Sequence, residues 1–338
     1  MGANPRGGWT PGRAATAGSV RVVARAALLA ILVSVALAGP ASADHVPGVP
    51  DWPGLAPPRP DVSGRKVPLG FDVCPRGQLR CPRRVVGEMN QRWEPLDEDC
   101  DHRGVFALTY LRTTEEYLRT VSSEAHFFSR PKWVNHEDAV FAELYFRAYD
   151  RFVRGDRIPE AWRIAFDANA SPNVTGYGDL LLGMSAHINR DLPYALAHVG
   201  LRKHDGRSRK PDHDRVNAFL ARIGEPLLRE LGDRYDPIFD LAVATSPVAE
   251  TAALQTVFAW RENAWRNAER LVVARDHPAQ LAAVRRSIEL EAATIGQAIV
   301  AVSTMPAYAQ IRDPYCRTGA LPTDSVPAPP PMDAIPTG

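Results

Sequence analysis

Gly183-Met184-Ser185-Ala186-His187-Ile188-Asn189-Arg190-Asp191-Leu192-Pro193 closes an apolar helical run that begins near Tyr177. On a helix, positions i and i+4 share a face, with Cβ atoms about 5–6 Å apart. His187 and Asp191 are so placed that they can bind one metal ion, or that the carboxylate can orient the ring. Asp179 and Gly183 extend the same stripe toward the N-terminus. A mid-helix glycine costs about 1 kcal/mol relative to alanine. Gly183 therefore reads as room for a partner helix, a ligand or water beside His187. Pro193 reads as a break in the helix near Asp191.

Outward from this stretch the chain keeps a helical period. Val105, Leu108, Leu111, Leu118 and Val121 mark a helix over 104–124. Asn135, followed by Asp138, reads as an N-cap for a helix carrying Val140, Leu144, Tyr145 and Phe152, which stops at Gly155. Pro159 opens a short helix, and Asp212 caps one carrying Val216, Phe219, Ile223, Leu227 and Leu231. Ser246-Pro247 and Pro278 open two long helices, the second with Leu281, Val284, Ile288, Ala292, Ile295 and Ile299 at helical spacing. No segment alternates as a strand does. The expectation is an all-α, single-domain, bundle-like fold over residues 70–316. A proline-rich arm at 44–69 and a disordered proline-rich tail at 317–338 flank it.

Residues 1–43 read as a signal peptide. Arg6, Arg13, Arg21 and Arg25 make a basic start, Ala26 to Ala38 is apolar, and Ala41-Ser42-Ala43 offers a cleavage site. The apolar run is too short to span a bilayer comfortably. The expectation is a secreted, extracellular chain beginning at Asp44, with no transmembrane helix after cleavage. Export sets an oxidising context, so Cys74, Cys81, Cys100 and Cys316 read as two disulfides. Three pairings are possible. Cys74–Cys81 is favoured by the turn-forming Pro75-Arg76-Gly77 between them, leaving Cys100–Cys316.

Charge points to no polyanionic partner. Without the four arginines of residues 1–43, the 40 basic residues of the chain become 36 against 39 acidic ones, which carries no nucleic-acid signal. No P-loop, dinucleotide fingerprint, nucleophile elbow or H-E-x-x-H is present. Besides His187 and Asp191, chemistry-bearing residues collect at Asn135-His136-Glu137-Asp138 and Asp101-His102. Acidic residues in a first helical turn are already explained by the helix dipole. His213 reads as surface and His198 as packing. Arg261 falls mid-stripe between Val257, Phe258 and Trp265, where an arginine either needs a partner, with Asp138, Asp179 and Asp191 the candidates, or snorkels to the helix edge.

At these residues the chain resembles an uncharacterised actinobacterial family known only by a domain-of-unknown-function label. The resemblance rests on G-M-x-A-H-I-N-R-D-L-P at Gly183 to Pro193, on Arg215-Val216-Asn217, and on Ala259-Trp260-Arg261 with Ala264-Trp265. It implies a mostly helical domain and no particular activity. More weakly, His187-x3-Asp191 with upstream His102 and Asp138 is similar to the secreted zinc-dependent phospholipase C and nuclease group. The chain departs from that group in lacking a downstream H-x3-E pair and an aromatic mature N-terminus. That resemblance implies at most a mono- or dinuclear site.

Two functional readings follow. In the first, His187, Asp191, Asp138, His136 and His102 line one pocket around a divalent metal such as zinc. Arg261 stabilises anionic charge, and the chain hydrolyses an ester or phosphoester of a small-molecule or lipid-like substrate. In the second, the same groups form a buried structural network in a non-catalytic secreted or envelope-associated binding module.

Overall fold

The computed structural model describes residues 64–239 and 247–319, with backbone only at 247–253. The signal-like segment, most of the proline-rich arm and most of the tail lie outside the described residues. The elements are α1 (Arg80–Glu98), α2 (Arg103–Ser123), α3 (Pro131–Val153), α4 (Glu160–Asn169), α5 (Gly176–Ser185), a π turn (Ala186–Asp191), α6 (Leu192–Val199), α7 (Lys210–Arg234), α8 (Pro247–Ala274), α9 (Pro278–Ser303), a 3₁₀ turn (Pro306–Gln310) and α10 (Arg312–Thr318). The all-α fold is as expected, with no strand among the described residues beyond two isolated bridges. Helix α1 was not marked in advance, although Cys81, Val85, Met89, Trp93 and Leu96 recur at helical spacing and form its buried face. Pro82 sits in its first turn, where no donor is needed, and Pro95 in its last.

One continuous rod runs through the centre of the bundle: α5, the π turn and α6. It packs against α2, α3, α4, α8 and α9. From Gly176 to Val199 only Tyr177, Met184 and Arg190 fall short of full burial. A helix that is apolar all round belongs in the middle of a core, and Leu180, Leu182, Leu192 and Leu196 fill it on opposite sides. Burying each such side chain contributes roughly 1.5–3 kcal/mol.

Pro193 does not break this rod. A proline ring clashes with the carbonyl four residues back in an α-helix. The turn before it widens instead, and Leu192 N–H bonds the carbonyl of His187, five residues back. Gly183 made room for a helix: a Cβ there would overlap the ring of Phe106 on α2.

Both expected disulfides are formed. Cys74–Cys81 closes a loop before α1, with Cα atoms 6.0 Å apart. Cys100–Cys316 joins the α1–α2 connection to α10, with Cα atoms 5.9 Å apart across 216 residues. The last part of the arm is docked: Val67 N–H donates to Ala197 O at 2.9 Å. Two helix starts differ from expectation. Helix α3 begins at Pro131, so Asn135 lies inside it and donates to Gly77 O at 2.9 Å. Helix α7 begins at Lys210, and Asp212 accepts from Ser129 N at 2.7 Å and Ser129 Oγ at 2.8 Å.

Candidate functional site

The π turn presents His187 to a cavity and keeps Asp191 behind it. Asp191 Oδ2 accepts from Trp162 Nε1 at 2.8 Å and lies 3.4 Å from His187 Nδ1, while Oδ1 accepts from Arg190 at 2.7 Å. Both oxygens are therefore committed, and Asp191 orients the ring. With the ring proton on Nδ1, Nε2 carries a lone pair. It is buried and has no hydrogen-bond partner. Phe141 lies flat on the imidazole, centroids 3.4 Å apart and 7° from parallel, and Tyr110 is 4.4 Å away by centroid.

The cavity holds about 110 Å³ and is walled mainly by apolar side chains, among them Phe106, Phe141, Met184, Ile188, Phe219 and Leu220. That volume is smaller than the engineered apolar cavity, on the order of 150 Å³, that takes up a benzene ring. Into this lining come Tyr110, Glu137, Asp138, His187 and Arg261. Four solvent-shielded polar atoms here have no hydrogen-bond partner: Tyr110 Oη, Glu137 Oε2, Asp138 Oδ2 and His187 Nε2. Buried polar atoms are normally satisfied, and leaving one unpaired costs about 1–3 kcal/mol.

Burial sets the protonation states. It lifts the Glu137 carboxyl to about 7, against the favourable charge of Arg261. It lifts Asp138 to about 8, helped by repulsion from Glu137. It pushes His187 below its ordinary range despite the neighbouring Asp191. At neutral pH the cavity thus combines a neutral imidazole with a protonated carboxylic acid. That separation is how two groups of one site divide the roles of base and acid.

Arg261 is buried, as its place in the stripe required, but none of its expected carboxylates meets it. Its guanidinium donates to Asn217 Oδ1 at 2.8 Å and to the His213 carbonyl at 2.8 Å. Glu137 supplies the nearby negative charge. His213, expected at the surface, is 1 % exposed and lies 3.2 Å from the Arg261 carbonyl through Nε2.

The five expected metal ligands occupy three places. Asp138 and His187 share the cavity wall, with Asp191 behind. His102 Nδ1 bonds Asp179 Oδ2 at 2.7 Å in a separate buried node. There Asn169 Nδ2 donates to Asp179 at 2.8 Å, and Arg312 donates to the carbonyls of Ser171 and Val174. His136 Nε2 lies 2.7 Å from Asp72 Oδ1 on the far side of α3. Among the described residues, the only group of three or more histidine, cysteine or carboxylate ligands within 4.8 Å of one another is Asp72, His136 and His198. Glu137 stood in the Asn135–Asp138 cluster but not among the expected ligands, and Tyr110 was not singled out by sequence. Glu137 was already explained by the helix dipole, and Tyr110 sits one position off the stripe read for α2.

A helical protein built round a buried rod, with a histidine–aspartate pair at a π turn, is the class these features define. Residues 83–302 match DUF5995, a family of unknown function, and the chain belongs to that family. No curated protein and no solved structure matches the chain.

Proposed function

We propose that the chain is an exported acid–base hydrolase acting on a small, largely apolar ester in the cavity at the π turn. The observation that carries this reading is the convergence of four unpartnered buried polar atoms on one apolar cavity. A purely structural network would have satisfied them, as the His102–Asp179 node largely does. In the proposed reaction His187 Nε2 takes a proton from water as the water oxygen bonds to the ester carbonyl carbon. Tyr110 Oη donates to the developing oxyanion. The ester C–O bond then breaks as Asp138 gives its proton to the departing alkoxide. Proton return from His187 to Asp138 through water resets the pair. General acid–base steps of this kind supply roughly 10²–10⁴-fold each.

Arg261 in this account holds the charge of Glu137 and positions α3, because its own donors are taken by Asn217 and His213. Export is supported by the two disulfides, and no described helix is long and apolar enough to cross a membrane. The test is hydrolysis of phenyl acetate, with phenol as a binding probe. The wild type should cleave the ester and bind phenol. His187→Gln and Asp138→Asn should each lose about 100-fold or more in rate while still folding. A wild type that neither cleaves phenyl acetate nor binds phenol contradicts the reading.

A further inference from the structure

On the opposite side of α3 from the cavity, two histidines from different elements aim at one carboxylate of the docked arm. His136 Nε2 is 2.7 Å and His198 Nε2 3.2 Å from the same oxygen, Asp72 Oδ1. The His198 side chain is nine-tenths buried, and its Nε2 makes no hydrogen bond of acceptable geometry. Asp72 itself is exposed. In a tetrahedral zinc shell with bonds of about 2.0–2.1 Å, neighbouring ligand atoms lie about 3.3 Å apart. Both nitrogens stand near that spacing from Asp72 Oδ1, the three ligand atoms all lie within 4.8 Å of one another, and the exposed carboxylate leaves a further position open to solvent.

His136 also forms part of the wall of a cleft of about 630 Å³. Lys66, Arg76, Arg130, Lys132 and Lys203 line it, drawn from the arm, the disulfide loop, the start of α3 and the loop after α6. None of these five cations has an ion pair among the described residues. The one acid in the lining, Asp205, is engaged by Arg207 at 2.6 Å.

We propose that Asp72, His136 and His198 hold a divalent metal ion of the zinc class, at the edge of a cationic cleft that takes a phosphate-type oxyanion. Two imidazoles and a carboxylate are a donor set that suits zinc and leaves coordination room for an oxygen ligand. The five cations provide the electrostatic attraction and phosphate hydrogen bonds that a carboxylate-ringed site would deny. One contact must yield. Leu69 N–H now donates to His198 Nδ1 at 3.3 Å, and metal at Nε2 moves the ring proton to Nδ1. The Leu69 amide therefore reports occupancy.

The test uses the whole exported chain, stripped with chelator and titrated with zinc chloride, then with inorganic phosphate. One zinc per chain is expected, with a shift of the Leu69 amide resonance. His136→Gln and His198→Gln should weaken zinc binding at least about 100-fold. Asp72→Asn, an exposed change that leaves the core intact, should weaken it about tenfold or more. The cavity variant Asp138→Asn should bind zinc as the wild type does, which separates this site from the cavity chemistry. Phosphate should bind the zinc-loaded protein more tightly than the stripped one. Arg130→Gln with Lys132→Gln should weaken phosphate about tenfold, on the scale of one or two charge-assisted contacts, without changing zinc. Absence of zinc uptake, or uptake equal in all three ligand variants, overturns the metal site. Phosphate binding that ignores both zinc and the cleft variant overturns the oxyanion assignment.

Discussion

Asp191 Oδ2 stands 3.4 Å from His187 Nδ1 and is held there by Trp162 Nε1 at 2.8 Å, so the imidazole turns its Nε2 lone pair into the cavity. The widened turn required by Pro193 carries both residues, which ties the geometry of the pair to the backbone feature. Single π turns inside α-helices are frequent at functional sites.

Asp191→Asn should preserve the fold and cost about 100-fold or more in phenyl acetate hydrolysis, because an amide no longer dictates which ring nitrogen holds the proton. Equal rates in the variant and the wild type would remove Asp191 from the mechanism.

The pH profile follows from the two partners. His187 must be neutral, and its pKa lies below the ordinary histidine range; Asp138 must be protonated, and its pKa is about 8. kcat/KM should rise below pH 6.5, hold near neutrality and fall above about pH 8. Asp138→Asn should abolish the alkaline limb along with most of the rate.

Stability should carry the same signature. A carboxyl whose folded pKa is raised binds more protons native than unfolded, so its contribution is full near pH 4 and is lost as pH rises toward 8. Glu137 and Asp138 both act in this sense. Urea melts should show Asp138→Asn close to the wild type at about pH 4 and progressively more stable than it up to about pH 8. A gap independent of pH contradicts the buried, neutral carboxyl.

Removing Cys100–Cys316 by paired alanine substitution should cost about 3–5 kcal/mol, since that bond closes a loop spanning 216 residues. Losing Cys74–Cys81, which spans 7 residues, should cost less. It should act chiefly on the cleft, because Arg76 rides on that loop. Denaturant melts of the two double variants decide the order.

The all-α fold was legible because apolar residues recur at helical spacing, as in Ile288, Ala292, Ile295 and Ile299 of α9. The disulfides were legible from the turn at Pro75-Arg76-Gly77 and the exclusion it leaves. The burial of Arg261 was legible from its stripe. Its partners were not, because Asn217 and His213 reach it from α7, and the packing of one helix across another is not written in either. His213 followed an apparent cap, yet Asp212 binds Ser129 instead, and α7 turns His213 inward. Asp72 lies in a segment without periodicity, so nothing local joined it to His136 and His198. Pro193 read as a break because the π turn that accommodates it has no sequence signal of its own.

The central claim concerns one lone pair, and nitrogen NMR of the His187 ring reads it directly. At pH 7 the account predicts a neutral ring with the proton on Nδ1 and a free Nε2, whose resonance shifts when phenol is added. A ring protonated on Nε2, or an imidazolium at pH 7, with no response to phenol, would contradict it.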